Sequence, residues 1–216
     1  MNAEFIEFLV KEGALKFGEF TLKSGRKSPY FVNTGVICTG EGLDKLGKFF
    51  ASAIMEHGPA PIIYGPAYKG IPLAVAASIS LSRDHKTPTS WLFNRKEAKT
   101  HGDKGAFVGK LPQEGEEVIL IDDVFTTGGT KYESVGLLES MGAKVKCLVI
   151  GVDREENGES GNAVEEFTEK TKIPVYSIAK ISECFEYLKG KEIGGKVYVT
   201  DGVYEAFRKY GDEYGS

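Results

Sequence analysis

The sequence predicts an α/β fold, a central parallel sheet flanked by helices, with a small N-terminal hood mainly within residues 1–35. Three observations carry this expectation. Apolar segments with β-branched residues stand at Pro61–Tyr64, Val118–Ile121 and Lys144–Val152, as in strands buried on both faces. They alternate with segments of helical periodicity, which favours right-handed parallel crossovers. Two of them run into glycine-containing loops, at the strand ends where ligands gather in open α/β sheets.

Composition bounds the answer further. A chain of 216 residues buries a sizeable core, and residues 1–216 read as one domain. Hydrophobic content of 41% and charged content of 27% are those of an ordinary globular protein, and a formal charge of −4 gives no support to nucleic-acid binding. Cys38, Cys147 and Cys184 are odd in number and scattered, which suits reduced thiols better than a disulfide framework or metal cluster. MNAEFIEF has neither the basic nor the apolar region of a signal peptide, and no run approaches membrane-spanning length. The expectation is a cytoplasmic protein without a membrane or nucleic-acid partner.

Taken in order, Ala3–Leu15 spaces Phe5, Phe8, Leu9 and Glu12 as an amphipathic helix. Phe17–Asn33 predicts a hairpin, with extended segments at Phe20–Leu22 and Tyr30–Val32 about a Ser-Gly turn; alone, its basic tip reads as solvated surface. Thr39–His57 is a helix with Leu43, Leu46, Phe50 and Ile54 on one face, stopped by Gly58-Pro59. The strand Pro61–Tyr64 meets Gly65-Pro66-Ala67-Tyr68-Lys69-Gly70, a loop able to hold a diphosphate through backbone N–H groups and one lysine, although turns of this composition are common. Ile71–Leu81 follows as a helix of small residues. Thr89–Asn94 is a strand, and Arg95–Gly105 is a cationic, glycine-loosened run that by itself reads as a solvated face.

Glu117–Ser134 carries the densest chemistry. Val118–Ile121 is a buried strand, Asp122 and Asp123 stand where it would leave the core, and Thr126-Thr127-Gly128-Gly129-Thr130 leads into a helix over Lys131–Met141. Glycines let N–H groups approach a phosphate, and a helix N-terminus adds a favourable field. Adjacent carboxylates would repel that phosphate; they suit a sugar's vicinal hydroxyls, or positive charge developing on the sugar. Together these parts describe a cradle for a ribose 5′-phosphate. The spacing fits neither G-x-x-x-x-G-K-[ST] nor G-x-G-x-x-G, and an aspartate phosphatase would separate its acids by one residue. Downstream, Lys144–Val152 is a strand ending in Asp153-Arg154, Ile173–Ile178 another, Ser182–Leu188 and Asp201–Tyr214 helices, and Val197–Val199 a short β segment.

The stretch around Asp122-Asp123 resembles the phosphoribosyl-diphosphate signature of type I phosphoribosyltransferases, and Phe5–Arg154 resembles the orotate phosphoribosyltransferases. The resemblance implies transfer of phosphoribose from phosphoribosyl diphosphate to orotate, giving orotidine 5′-monophosphate in pyrimidine biosynthesis. It implies that Lys23, Tyr68, Lys69, Arg95 and Lys96 bind phosphoribosyl diphosphate, together with the run Asp122, Asp123, Val124, Phe125, Thr126, Thr127, Gly128, Gly129 and Thr130. Lys99 and His101, on a mobile flap, are implied in catalysis alongside Asp122 and Asp123, where cations meet the departing diphosphate. Phe31, Val32, Thr126 and Arg154 are implied for orotate, an arginine fork matching its carboxylate. Mg²⁺ held mainly by substrate and water, and a two-fold homodimer with shared active sites, are implied as well.

Two departures stand out: Val32 where the family often has an aromatic residue, and Gly129 where it commonly has Thr or Ser. The alternatives are a phosphoribosyltransferase for another base, disfavoured by the hood and Arg154, or a non-catalytic phosphoribosyl-diphosphate sensor. A sensor would carry an added nucleic-acid-binding module, which the chain lacks.

Overall fold

Asn2 starts the first helix, α1 (Ala3–Lys11), by accepting the Phe5 N–H at 3.1 Å. The helix ends at Lys11 rather than Leu15 because Gly13 takes φ +68° and turns the chain into β1 (Leu15–Thr21). β1 pairs antiparallel with β2 (Lys27–Val32), forming the expected hairpin hood with an irregularity between Phe17 and Phe20. The computed structural model describes residues 1–22, 25–96 and 106–216.

Thr39 accepts the Gly42 N–H at 3.0 Å and opens α2 (Gly40–His57), which buries Leu46, Phe50 and Ile54. Then come β3 (Ile62–Tyr64), α3 (Gly70–Asp84), β4 (Ser90–Asn94), β5 (Phe107–Gly109), β6 (Glu117–Phe125), α4 (Gly129–Glu139) and β7 (Lys144–Asp153). The chain continues as α5 (Ala163–Thr171), β8 (Val175–Lys180), α6 (Ile181–Leu188), the small hairpin of β9 (Glu192–Ile193) and β10 (Lys196–Val197), and α7 (Asp201–Tyr214).

The main sheet has the order β5-β4-β3-β6-β7-β8, parallel except for β5, which pairs antiparallel with β4 at the edge. Three elements escape the sequence patterns, the two-residue β9 among them. β5 is too short to show a period, and α5 buries only Ala163 and Phe167, so its apolar face is too sparse to announce a helix.

Alternation along the strands sorts the core into two layers. Ile119 and Ile121 of β6 face Phe5, Phe50 and Leu73 on one side, whereas Val118 and Leu120 face Val135, Leu138 and Phe167 on the other. β3 and β6 lie side by side, with β4 outside one and β7 outside the other. The winding therefore reverses between them, and the loops after β3 and β6 flank a crevice at the switch point. α7 closes the hood: Phe207 and Tyr210 meet the Tyr30 ring edge-on at 6.2 and 5.8 Å. Among the described residues no helix is long and apolar enough to cross a membrane.

Candidate active site

β6 runs to Phe125, so Asp122 and Asp123 sit inside the strand rather than beyond its end, 7% and 3% exposed. Successive strand residues point to opposite faces, and each acid meets a different lysine. Asp123 Oδ2 lies 2.9 Å from Lys69 Nζ, at the start of α3. Asp122 Oδ2 lies 2.5 Å from Lys131 Nζ on α4, and its Oδ1 accepts the Asp123 N–H at 2.9 Å. Burial and then the neighbouring Asp122 charge push the Asp123 pKa up, against the pull of Lys69. Lys131 escaped the sequence reading, which took it as an ordinary first-turn residue.

The loop after β6 is shaped by Gly128. Its φ is +79°, and a Cβ there would come within 2.9 Å of the Phe125 ring, so no other residue fits without rearrangement. Gly129 differs: it begins α4 with space around its missing Cβ and needs no positive φ. Thr127, Gly129 and Thr130 are exposed and Thr126 half-buried, while the Phe125 ring packs on Phe167 at 5.6 Å. Phe125 thus offers a ligand only its backbone.

Across the crevice, Asn94 at the end of β4 shapes the loop after β3. Its Oδ1 accepts both the Tyr64 O–H at 2.9 Å and the Ala67 N–H at 3.1 Å. Its signal was a polar residue ending an apolar strand. Gly65 and Gly70 pack so closely that a Cβ on Gly65 would meet the Gly70 oxygen at 2.0 Å. Tyr68 is 66% exposed, and Lys96 Nζ stands 5.0 Å from the centre of its ring. The Arg95 N–H bonds the Ala106 oxygen at 2.7 Å, joining the bases of the cationic run. Lys99 and His101 of that run, and Lys23 of the hood, lie outside the described residues.

The hood separates its two candidate residues. Phe31 is half-buried and stacks on Phe20 at 5.6 Å, whereas Val32 faces inward on β2 and is 3% exposed in the core. Arg154 is buried rather than a surface arginine. Its Nη2 lies 2.6 Å from Glu156 Oε1, Nε donates to the same oxygen at 2.8 Å, and Nη2 reaches the Tyr210 hydroxyl at 3.4 Å. Its guanidinium sits 4.5 Å from the Tyr30 ring centre. Burial opposes the Arg154 charge, but Tyr30, Glu156 and Tyr210 outweigh it and its pKa is raised. A cleft of about 280 Å³, lined in part by Tyr30, Arg154, Ser182 and Tyr210, opens here. Glu156 and Tyr210 escaped the sequence reading, because nothing local links a loop glutamate to a tyrosine on a distant helix.

Among the described residues no group of three or more His, Cys, Asp or Glu is placed to hold a metal. Both acids of the crevice are engaged by lysines, a donor set that suits an ion carried on substrate oxygens and water.

A family model, the phosphoribosyl transferase domain, matches residues 39–176. An orotate phosphoribosyltransferase from Clostridium acetobutylicum is 43% identical over 216 residues, covering 98% of this chain and 96% of that protein. One from Chromohalobacter salexigens is 42% identical over 223 residues, covering 98% and 94%. The crystal structure of the orotate phosphoribosyltransferase from Francisella tularensis superposes with a TM-score of 0.81 at 36% identity, over 99% of this chain and 100% of that one.

Proposed function

The chain belongs to the orotate phosphoribosyltransferase family, and from that premise we propose how its residues move phosphoribose from phosphoribosyl diphosphate to orotate, the step of de novo UMP biosynthesis that yields orotidine 5′-monophosphate and diphosphate. The observation that carries the reading is the acid pair at the switch point, bracketed by the two glycine-containing loops.

The 5′-phosphate rests on the backbone N–H groups of Thr126–Thr130, with the Thr126, Thr127 and Thr130 hydroxyls adding donors and the N-terminus of α4 a favourable field. The ribose hydroxyls donate to Asp122 and Asp123. The diphosphate lies over the Tyr68-Lys69 loop, where Lys69, 47% exposed, is free to turn from Asp123 toward it. Arg95 and Lys96 approach from the end of β4, and Lys99 and His101 cover the diphosphate as it departs. Orotate lies against Phe31 and the backbone of Val32, near Thr126. Glu156 takes the Nε and Nη2 edge of Arg154, so the orotate carboxylate is expected on the Nη1 side.

In the chemical step the orotate ring nitrogen gives up its proton to the departing diphosphate and forms a bond to C1 of the ribose. The bond from C1 to the diphosphate oxygen breaks, and its electron pair leaves with the diphosphate. Positive charge grows on the sugar, where the two carboxylates stabilise it, while the flap cations meet the negative charge gathering on the leaving group. Mg²⁺ neutralises charge on the diphosphate oxygens when it is bound.

A homodimer is the proposed assembly. An apolar groove of about 460 Å³ runs between α2 and α3, lined by Leu43, Ile71, Pro72, Val75 and Ile79, and Ile79 is 53% exposed. A second copy docked there by a two-fold axis would cover it. The thiols of Cys38, Cys147 and Cys184 are free, which supports a reducing, cytoplasmic setting.

Incubating the protein with orotate, phosphoribosyl diphosphate and Mg²⁺ tests this reading. One equivalent of diphosphate per orotidine 5′-monophosphate formed, abolished by chelator, is the expected result; absence of product contradicts it.

A further inference from the structure

Lys131 is the only buried lysine among the described residues, 6% exposed. Three costs oppose it there. Burying an ammonium group is expensive. A cation in the first turn of a helix meets the unfavourable end of the dipole. The buried position also belongs to the face on which α4 carries Ser134, Val135 and Leu138, where an apolar residue would pack without penalty.

What offsets those costs is Asp122. Lys131 Nζ lies 2.5 Å from Asp122 Oδ2 and 3.5 Å from Thr130 Oγ1, over the Phe125 ring at 5.9 Å. With the Asp123 N–H on Oδ1, the Asp122 carboxylate is held by donors from two different elements. It is oriented from the face of the sheet opposite Lys69.

The geometry points to Lys131 as a positioning residue for phosphoribosyl transfer: from α4 it fixes the Asp122 carboxylate for the ribose hydroxyls and ties the acid pair to the phosphate loop. This rests on the reading of the acids as the ribose cradle, and it adds a residue to that cradle. It also explains the charge balance, two acids matched by two lysines on opposite faces. The groups facing the pair are Lys69 from α3, Lys131 from α4 and Tyr64 from β3, whose pKa burial pushes up to about 12. Burial and Asp122 raise the Asp123 pKa; Lys69, and beyond it Lys131, pull it back. Loss of the Lys131 charge therefore moves Asp123 upward.

The test compares Lys131→Gln, Lys131→Arg and Asp122→Asn in the full-length protein. kcat/KM for phosphoribosyl diphosphate is measured across pH, and folding is checked by circular dichroism. Lys131→Gln is expected to lower kcat/KM about 10- to 100-fold. Its acid limb should rise by roughly one pH unit or more. Lys131→Arg should restore the limb and most of the activity. A folded Lys131→Gln with the wild-type limb and kcat/KM within about twofold overturns the assignment, even if it melts lower, since a purely structural lysine would give that result. Should Lys131→Gln fail to fold, Lys131→Met, which keeps the stem and removes the charge, decides on the same readout: a raised limb with lowered kcat/KM supports the assignment, and a wild-type limb with kcat/KM within about twofold overturns it. Asp122→Asn separates the two levels. If it keeps full activity, the ribose-cradle reading fails; if it is inactive while Lys131→Gln matches wild type, only the role of Lys131 fails.

Discussion

Lys69 and Asp123 form an ion pair at 2.9 Å that joins the loop after β3 to strand β6, and the partners are unequally placed: the lysine side chain is 47% exposed, the aspartate 5%. Lys69 can leave for a diphosphate, whereas Asp123 stays in the sheet.

That asymmetry makes Asp123 costly to the fold. Its pKa is raised above the ordinary carboxylate value by burial and by Asp122. Between the unfolded and the raised folded pKa the native state binds more protons, so stability falls as pH rises through that window. Above that window the buried Asp123 carboxylate therefore opposes folding. Asp123→Asn should melt higher than wild type at neutral pH, by roughly 2–4 °C for about 1 kcal/mol gained. The difference should shrink toward acid pH, while transferase activity nearly vanishes. Calorimetry across pH with a parallel assay checks both halves; a lower melting point at neutral pH sinks the idea.

The opposite holds at Arg154 and Glu156, whose side chains are 4% and 3% exposed. Glu156→Gln leaves the Arg154 guanidinium buried without its counter-charge, at a cost of about 3 kcal/mol or more. The variant is expected to unfold at lower denaturant and, where folded, to show a raised KM for orotate with that for phosphoribosyl diphosphate little changed. Equal rises in both constants would place the pair outside orotate binding.

Gly129 tests the phosphate loop. Its missing Cβ has open space and its backbone needs no left-handed conformation, so Gly129→Thr should be accommodated. One added hydroxyl donor should lower the KM for phosphoribosyl diphosphate, a gain of about 1 kcal/mol. A raised KM in the folded variant would mean the open side must stay clear for the phosphate. Gly128 carries no such freedom, and Gly128→Ala should lose activity and stability together.

Shared active sites make a further prediction. Lys99→Ala and Asp123→Asn should each be nearly inactive alone. If each flap covers the partner's site, one site of a mixed dimer carries both lesions and the other neither. Random exchange makes about half the dimers mixed, so roughly a quarter of wild-type activity should return. No recovery after verified subunit exchange refutes the shared site.

Much of this was legible in the chain. Val118–Ile121 announced a strand buried on both faces, the glycines after Asp122-Asp123 marked the turn from it into α4, and α2 is predicted within a residue by Thr39 and Gly58. Those signals are local, set by periodicity, capping and backbone freedom. What stayed hidden depends on through-space partners. Lys131 looks like any first-turn lysine until α4 is laid against β6, and Glu156 meets Tyr210 only after α7 folds back across the hood. Strand alternation likewise sends Val32 into the core while Phe31 faces out, a distinction the pair of residues does not show by itself.

The central claim, that the lysine-flanked acid cradle and the Arg154 cleft transfer phosphoribose to orotate, is tested most directly by a panel of bases. Orotate, uracil, adenine, guanine and hypoxanthine are each supplied with phosphoribosyl diphosphate and Mg²⁺, and the initial rate of diphosphate release is measured. Orotate should be turned over far faster than every other base, uracil included, because only orotate brings a carboxylate to Arg154. A clear preference for a purine, equal turnover of uracil, or no turnover with any base would contradict the account.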